Sequence, residues 1–479
     1  MWRFALVRHP VEHLPGARAA VLGRLWGALA RESFAAVTSR SVVGDELVVR
    51  LAGGRRLSGP AACAERFADY AGGVVLELDG RLLDDPVVLA AGLGWPQRLR
   101  EELAGSVENV ALARTAVPPS GWSLPEVEAR VVDGHPLHPL CRTRTGMSAA
   151  EQLAYAPEHQ PVVSLDLVAV PAGAWSGSAG WPWRDGGDFL LPVHPWQLRH
   201  VLGGEGRRTA GVVEARPLMS LRTLDAGEWH VKTALSVQMT SAVRTVSPAS
   251  ARNGPALWGL VAELSGLEVL AEPFGGGDGR RECSALLRRP PVLAAGEVAV
   301  PLSVLAAGPV PMLAGVTAPA AWMAAVAEVL VRPLLGLLRA GVALEAHGQN
   351  TFLVLREGWP VRAGYRDFGG VRVSPAILAR HGVVCPELAG DIPSDDPRVL
   401  RDKLASSLLA SACTELVTVL SRCSGVPAGQ LWRPVAAELA AVPELLRGPW
   451  PLKATTAMRL AADPLEDVWV PVPNPVEAL

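Results

Sequence analysis

The sequence predicts an α+β protein with several lobes, because three patterns succeed one another along the chain. Apolar residues at helical spacing mark the N-terminal part, short β-rich stretches mark the middle, and helices return in the last third. With 479 residues, 49% of them hydrophobic and 19% charged, the chain is long and apolar enough for two or three cores. We therefore predict a mixed helical lobe over residues 1–128, a β-rich and mostly antiparallel lobe over 129–318, and a helical lobe over 319–479.

The N-terminal lobe is predicted to combine two helices with β-hairpins. Residues 17–38 carry apolar side chains, from Val21 to Phe34, at the spacing of one helix face. Short alternating stretches over 43–85 are separated by Gly-containing turns, which predicts strands and hairpins. Residues 96–115 again have a helical pattern.

In the β-rich lobe, one segment determines where the charged side chains lie. Residues 231–239 alternate in polarity and predict one continuous strand that presents Lys232 on one face. On a straight strand Lys232 and Thr240 would be about 26 Å apart, at opposite ends of a long ligand or at two ligands. Thr240 or Ser241 is then placed to cap a following helix, with Arg244 in its first turn.

Helices dominate the C-terminal lobe. Residues 319–340 predict one helix up to Arg332 and a second from Pro333, where proline suits a first turn. Residues 341–373 predict a strand–loop–strand unit. An apolar residue then recurs every fourth position and predicts a buried helix stripe at Leu400, Leu404, Leu408, Ala412, Leu416 and Leu420.

Composition limits the classes of partner and the compartment. The 45 basic and 47 acidic residues give a net charge of −2, which argues against nucleic acid or an anionic membrane as the main partner. Six cysteines without CxxC spacing predict thiols in a reducing compartment. The first residues contain no stretch that resembles a signal peptide, and the most apolar region, around 316–338, is interrupted by charges and a proline. We expect a soluble, cytoplasmic protein.

Three clusters are candidates for chemistry, and the first is basic. His135, His138, Arg142 and Arg144 lie within ten residues, and the proline after each histidine keeps that histidine out of a regular helix. The cluster suits a polyanion, and the alternative is a solvated turn. An HxxH zinc site is a poorer interpretation, because no Cys or acidic ligands accompany it.

The second cluster combines hydroxyl groups with cations. Its members are Ser220, Arg222, Thr223, Lys232, Thr240, Ser241 and Arg244. The predicted helix N-terminus, the hydroxyl of Thr240 or Ser241 and the Arg244 guanidinium form an anion site, and Lys232 is a separate cation that suits phosphate. The alternative is a half-buried strand with a surface lysine.

The third cluster lies in the C-terminal lobe. Glu345, His347 and Gln349 share a face if the chain is extended, Asn350 follows, and Asp367 precedes two glycines in a tight loop where a carboxylate can reach a metal. The layout partly resembles the Asn and Asp-Phe-Gly metal site of kinases, although Glu345 stands where a catalytic Asp would fall. The alternative is a packed strand.

The motifs resemble, in their order, those of one enzyme family. They are similar to those of siderophore synthetases that work without a nonribosomal peptide synthetase, the aerobactin-synthetase type, and read GHPLHPLCRTRTG, HPWQ, SLRT, KTALSVQMTSAVRT, EAHGQN and RDFGG. Each motif alone is weak, but six in series are specific.

The resemblance implies a fold and a reaction. The fold is a three-lobed hand with a thumb, fingers that carry the sheet, and a helical palm with a remote kinase likeness. The reaction uses MgATP to adenylate a carboxylate, citrate or a related acid, with release of pyrophosphate. An amine or alcohol then attacks the adenylate to give an amide or ester, and AMP leaves. A homodimer is expected from the family.

The resemblance also implies roles for the clusters. ATP contacts are expected from Ser220, Arg222, Thr223, Lys232, His135, Arg142, Asn350 and Asp367. Asp367 and Asn350 are the expected Mg²⁺ ligands. The carboxylate is expected at Thr240, Ser241, Arg244, His347 and Gln349, with Arg244, His347 and Glu345 as the catalytic residues. His347 or Glu345 would accept the proton of the nucleophile.

This chain departs from the family in two respects, and two other functions are alternatives to a synthetase. The family usually has Lys where this chain has Arg142, and the chain is shorter than is usual for the family. A small-molecule phosphotransferase would leave GHPLHP and TSAVR unexplained. A non-catalytic ATP- or carboxylate-binding protein is the other alternative.

Overall fold

Helices and mostly antiparallel sheets alternate along the chain, which confirms the predicted α+β class. The computed structural model describes residues 10–204, 209–308, 311–463 and 467–479. The predicted domain boundaries stay predictions.

The N-terminal part packs helices on a five-stranded antiparallel sheet with the order β1-β2-β3-β4-β5. Its first helix ends at Arg31, earlier than predicted, because Glu32 turns into extended backbone and Phe34 packs on Trp95 instead of continuing the helix. The elements are α1 Leu14–Arg31, β1 Val37–Val43, β2 Glu46–Leu51, β3 Arg56–Pro60, β4 Leu76–Leu78, β5 Arg81–Leu83, α2 Pro86–Gly92, α3 Gln97–Ala113 and α4 Leu124–Glu128.

The middle part is built on a nine-stranded antiparallel sheet with the order β7-β16-β17-β12-β11-β10-β6-β9-β8. Its elements run to residue 305: α5 Ala149–Tyr155, β6 Val163–Val170, β7 Ser176–Gly177, β8 Arg184–Asp185, β9 Asp188–Val193, α6 Pro195–His200, β10 Thr209–Pro217, β11 Thr223–Asp225, β12 His230–Thr233, β13 Leu235–Met239, β14 Ala242–Arg244, α7 Pro248–Leu264, β15 Glu268–Val269, β16 Phe274–Gly277, β17 Ser284–Arg288, β18 Glu297–Pro301 and α8 Leu302–Leu305.

The predicted continuous strand over 231–239 is wrong, because the chain leaves the large sheet at Ala234. β12 pairs with β11 and β17 in that sheet, whereas β13 forms a separate hairpin with β14. Arg244 therefore lies on a strand and not in a helix turn, and the next helix, α7, is capped by Ser247. The prediction that Thr240 or Ser241 caps this helix is wrong for the same reason.

A second sheet joins the middle and C-terminal parts. It has four strands in the order β15-β21-β20-β18, and it contains strands from both sides of the predicted boundary at residue 318. The elements after that boundary are α9 Pro319–Val326, α10 Arg332–Arg339, β19 Val342–Ala343, β20 Thr351–Arg356, β21 Trp359–Tyr365, β22 Arg372–Val373, α11 Pro375–Arg380, α12 Pro397–Leu404, α13 Thr414–Ser424, α14 Ala428–Leu439, β23 Trp450–Lys453, α15 Thr456–Leu460 and β24 Trp469–Val472.

Two π-helical turns connect helices in this part. Residues Ala327–Val331 join α9 to α10 in one run, so the predicted helix break at Pro333 is absent. A proline lacks the backbone N–H that an α-helix uses, and a π-turn is one place where the hydrogen-bond ladder can accommodate that loss. Residues Ala405–Cys413 join α12 to α13 in the same way.

The two helical runs are apolar but lie mostly inside the protein. Pro319–Arg339 and Pro397–Ser424 are long and apolar enough to cross a membrane, yet 56% and 83% of their most apolar windows are buried. Their apolar side chains, including the predicted stripe from Leu400 to Leu420, form part of the largest hydrophobic core.

Candidate active site

A buried ion pair links the second and third predicted clusters. Lys232 on β12 donates to both carboxylate oxygens of Asp367, with Nζ–O distances of 2.8 and 2.6 Å. Arg288 at the end of β17 approaches the same carboxylate, with Nη2 3.8 Å from Oδ2. Burial alone would raise the pKa of Asp367, but Lys232, Arg288 and Arg222 outweigh it and hold that pKa far below its usual range. Asp367 is therefore ionised at neutral pH.

The SLRT segment forms a tight turn beside this pair. Leu221 has a positive φ of 66°, and the Ser220 hydroxyl accepts the backbone N–H of Thr223 at 3.1 Å. Thr223 begins β11 opposite Lys232 on β12, so the two residues are neighbours in the sheet. Burial, and next the charge of Arg244, lower the pKa of Arg222 to about 10, so its guanidinium stays charged.

The hairpin of β13 and β14 brings Arg244 to the same place. Arg244 donates from Nη2 to the Thr240 hydroxyl at 2.9 Å and to the Met239 carbonyl at 3.2 Å. The field of Glu345 and Asp367 acts on its guanidinium, which is largely buried. Because the strand breaks at Ala234, the lysine and the arginine act on a common cluster of carboxylates. The single straight strand on which Lys232 and Thr240 would lie about 26 Å apart is therefore absent.

The GHPLHP loop contributes histidines to the cluster. Gly134 has a φ of +72°, and an added Cβ would lie 2.2 Å from the Cys141 carbonyl oxygen, so only glycine fits. The Nδ1 atom of His135 accepts backbone N–H groups from Leu137 and His138, at 3.2 and 3.1 Å. Desolvation by the surrounding protein, and then the charges of His347, Arg24 and Arg244, lower the pKa of His135 to about 3.

The EAHGQN segment forms a turn, so the extended conformation in which its alternate side chains would share a face is not adopted. His347 donates its backbone N–H to the Glu345 carbonyl at 2.9 Å, and the N–H of Asn350 returns to the His347 carbonyl at 3.0 Å. Glu345, His347 and Gln349 therefore do not share the face of a strand. The turn is fixed to the π-helical segment, where the Ser407 hydroxyl accepts the N–H of Ala346 at 3.0 Å.

The hydrogen bonds of His347 determine its proton. The Gln349 backbone N–H donates to Nδ1 of His347 at 3.2 Å, so the neutral ring carries its proton on Nε2. Burial lowers the pKa of His347, although Glu345 and Asp367 act in the opposite direction. In this tautomer the free edge of the ring is a hydrogen-bond donor and not a proton acceptor.

Glu345 has the features of a carboxylate base. Its side chain is 31% exposed and its Oε1 atom lies 3.4 Å from Nζ of Lys403 on α12. Burial would raise its pKa, but Lys403, His347 and Lys453 lower it overall. A Cβ on Gly370 would lie 2.0 Å from Oε2 of Glu345, so the second glycine of RDFGG makes room for this carboxylate.

The hydrogen-bond donors of Arg142 are engaged by other groups and are not available to the cluster. Its guanidinium donates to the backbone carbonyls of Val131 and Val132 and reaches Glu158 at 3.3 Å. Arg144 also binds Glu158, at 2.8 Å. The predicted ATP contact at Arg142 is therefore not supported by the geometry, because the fork of this arginine already holds a buried loop and a buried carboxylate.

The two predicted metal ligands, Asn350 and Asp367, do not form a preformed metal site. Asn350 is buried, and its side-chain NH₂ donates to the Glu345 carbonyl at 3.2 Å. Asp367 is engaged by Lys232. Within the described ranges, no group of three or more His, Cys, Asp or Glu residues is arranged to hold a metal.

Buried acidic residues behind the site were not predicted. Glu128 accepts the backbone N–H of Met219 at 2.8 Å and pairs with Arg366 at 2.6 Å, and Arg366 in turn holds the Gln349 carbonyl. Glu272 holds Arg288 at 2.5 Å. In the sequence, these buried ion pairs are indicated by a charged residue next to an apolar run, such as Arg288 in SALLR. The same pattern occurs at ordinary strand ends, so it does not identify a buried ion pair.

A cavity opens beside the Lys232–Asp367 pair. It has a volume of about 100 Å³. Its polar lining includes Lys232, Asp367, Glu272, Asn253, the N-cap Ser247 of α7 and Ser250 in the first turn of that helix. A long helix that begins there adds partial positive charge, so the cavity suits a ligand with an anionic end.

Two family models match this chain in succession. The model of the IucA / IucC family matches residues 123–185 and 179–307, and a model described as "Ferric iron reductase FhuF-like transporter" matches residues 320–467. The first match contains the GHPLHP loop, the SLRT turn and the Arg244 hairpin.

Curated relatives carry the names of siderophore enzymes. Staphyloferrin A synthase of Staphylococcus aureus (strain NCTC 8325 / PS 47) is 26% identical in an alignment that covers 60% of this chain and 60% of the relative. D-ornithine–citrate ligase of the same organism is 24% identical in an alignment that covers 31% of this chain and 28% of the relative. The chain thus spans less than two thirds of the length of these relatives.

Solved structures share the fold over nearly the whole chain. The petrobactin biosynthesis protein AsbB from Bacillus anthracis str. Sterne has a TM-score of 0.82 at 20% identity, with 98% of this chain and 96% of that chain covered. ATP-bound aerobactin synthetase IucA from a hypervirulent pathotype of Klebsiella pneumoniae has a TM-score of 0.74 at 19% identity, with 96% and 99% covered. The chain is therefore similar, in its family-model match, its curated relatives and its fold, to the IucA/IucC siderophore synthetases that its sequence motifs resemble.

Proposed function

We propose that this protein is an ATP-dependent ligase that activates a carboxylate as its adenylate and condenses it with an amine or alcohol. The carboxylate is citrate or a related di- or tricarboxylic acid, and the products are an amide or ester, AMP and pyrophosphate. Support comes from the family, from relatives named as a synthase and a citrate ligase, and from an IucA structure described as ATP-bound.

One observation carries the proposal. Three buried or half-buried cations, Lys232, Arg222 and Arg244, converge on two carboxylates, Asp367 and Glu345, which come from a distant part of the sequence. A carboxylate and a triphosphate repel each other in water. A site that joins them needs fixed positive charge and donors aimed where negative charge develops, and this arrangement supplies both.

ATP is proposed to bind along the Lys232–Asp367 pair and into the neighbouring cavity. Lys232, Arg222 and the Ser220–Thr223 turn are suited to phosphate oxygens. A single carboxylate, Asp367, together with Asn350, fits Mg²⁺, because this ion usually takes few protein ligands and completes its shell with phosphates and water. When bound, Mg²⁺ would neutralise charge on the phosphates.

The carboxylate substrate is proposed to bind at Arg244. Thr240 and Ser241 precede Arg244 in the same sequence motif, and Gln349 belongs to the EAHGQN motif. The charges of Glu345, Asp367 and Arg244 act on His347. With its Nε2–H, His347 stabilises a developing oxyanion by donating to it. Glu345 is then the proposed proton acceptor for the nucleophile, because it is ionised and partly exposed.

Finer features of the family belong to the same proposal. The three-lobed hand, with a palm of remote kinase likeness, is the architecture we propose around this site. A cytoplasmic location is consistent with the absence of disulfides among the described residues. A homodimer is proposed as well, and light scattering of the purified protein checks it.

The test is to measure carboxylate-dependent ATP–pyrophosphate exchange and AMP release, with hydroxylamine as a surrogate nucleophile. Citrate-dependent exchange and hydroxamate formation are expected. Formation of ADP with a phosphorylated product would replace the proposal with a phosphotransferase. Binding of ATP or citrate without turnover across a panel of acids and amines would replace it with a binding protein.

A further inference from the structure

A single hydrogen bond joins the GHPLHP loop to the hairpin that carries Arg244. Nε2 of His138 lies 2.8 Å from the Ser241 hydroxyl oxygen. His138 is 5% exposed, whereas Ser241 is half-buried at the tip of the hairpin. By its position in the sequence His138 belongs to the candidate polyanion site, but this contact gives its ring a different partner.

Backbone contacts fix the direction of this bond. The Leu140 N–H donates to Nδ1 of His138 at 3.0 Å, so the ring carries its proton on Nε2 and donates it to the oxygen of Ser241. Burial, and then the charges of His135, Arg244 and Arg459, favour the neutral ring. The donor is therefore maintained over the whole physiological pH range.

The hairpin tip is strained and needs an external support. Thr240 and Ser241 form a two-residue loop between Met239 and Ala242, and Thr240 has a φ of 53°. A positive φ is most easily adopted by glycine, so a threonine at the first position of this loop is strained. The Thr240 hydroxyl is also the acceptor for Arg244. The conformation of this tip thus determines where the guanidinium lies.

We propose that His138 is a positioning residue that holds Ser241, and through the strained tip fixes Arg244 for the carboxylate substrate. The inference rests on the proposed ligase function. It assigns Ser241 a structural bond to His138 in place of direct substrate contact, and it explains why the second histidine of GHPLHP lies buried in the loop.

The test compares four variants in the carboxylate-dependent exchange assay, with ATP and the carboxylate varied separately. Ser241→Ala removes the acceptor, and we expect kcat/KM for the carboxylate to fall about five- to tenfold with an unchanged KM for ATP. Ser241→Thr keeps the hydroxyl and should recover most of the loss. His138→Phe, alone and combined with Ser241→Ala, should give the same loss, because both changes break one bond.

Ser236→Ala is the matched control. Ser236 is on the same hairpin, but its hydroxyl binds Gln197 at 3.0 Å and not the GHPLHP loop. Carboxylate kinetics like those of the unaltered protein are expected for this control. Unchanged carboxylate kinetics in Ser241→Ala, an equal loss for ATP, or additive losses in the double variant would overturn the inference. An inactive unaltered protein would instead overturn the proposed function.

Discussion

Replacing Lys232 by methionine tests the central ion pair most directly. The substitution keeps the length of the side chain and leaves Asp367 without its nearest cation. At an effective dielectric of about 20, unit charges at the observed Nζ–Oδ2 distance of 2.6 Å attract by about 6 kcal/mol. Desolvation of the two groups offsets much of this, so the intact pair adds little net stability.

Removing one partner is more costly than removing both. A buried charge that loses its partner destabilises a protein by about 3–5 kcal/mol. Because Asp367 is 26% exposed and keeps Arg288 at 3.8 Å, we expect the low end, about 3 kcal/mol, for Lys232→Met. The double variant Lys232→Met/Asp367→Asn removes both charges and should be within about 1 kcal/mol of the unaltered protein.

Thermal unfolding of the ligand-free protein measures these changes in stability. Asp367→Asn is the fourth member of the double-mutant cycle. The single lysine variant should melt several degrees lower, and the double variant should recover at least half of the loss. An additive loss in the double variant, or no loss in the single variant, would refute the ion-pair argument.

The same pair predicts the effect of acid. The pKa of Asp367 is lower in the folded protein than its usual value near 4, so its contribution to stability is present above about pH 4 and is lost as the pH falls further. In Lys232→Met this pKa rises toward its usual value. The pH-dependent contribution of Asp367 is then largely absent, so we expect a smaller loss of stability between pH 5 and pH 3 in Lys232→Met, and in proteins that lack Asp367, than in the unaltered protein, as measured by melting temperature against pH.

Four further substitutions separate the other roles. Arg142→Lys should lower the melting temperature by a few degrees without changing the KM for ATP, because its donors hold backbone carbonyls and Glu158; a rise in that KM would restore Arg142 as a phosphate contact. Gly370→Ala should abolish condensation, since its Cβ would lie 2.0 Å from Glu345, and a fully active variant would contradict the close packing in this loop. Glu345→Gln should keep carboxylate-dependent exchange and lose at least tenfold in condensation, measured by product formation; an equal loss in both would move the proton acceptor elsewhere. Arg244→Lys should lower kcat/KM for the carboxylate at least tenfold with little change for ATP, measured in the exchange assay, and equal losses for both substrates would contradict the placement of the carboxylate.

The segment around Ala234 shows where sequence patterns stop being informative. Alternation over 231–239 predicted one strand and was locally correct on each side of the break. Period-two alternation cannot show that the two halves pair with different partners, because pairing depends on residues far away in the chain. β12 has its partner in β17 and β13 has its partner in β14.

The stripe from Leu400 to Leu420 gives the opposite case. An α-helix advances about 100° per residue, so side chains spaced every four positions drift by about 40° per step around its axis. Five such steps would move the stripe to the opposite side of the helix. The π-helical turns over Ala405–Cys413 contain more residues per turn and compensate for this drift. The burial of the stripe was predictable, whereas the helix type that makes it possible was not.

The sequence by itself determined the α+β class, the family resemblance and the residue types of the candidate site, since these depend on periodicity and on the order of motifs. Tertiary structure alone decided how the charges pair. Lys232 and Asp367 are 135 positions apart, yet they form one ion pair, and Arg142 was diverted to Glu158 and two carbonyls. The physical reason is that a buried charge must find a partner in space, and chain separation does not restrict which residue that partner is.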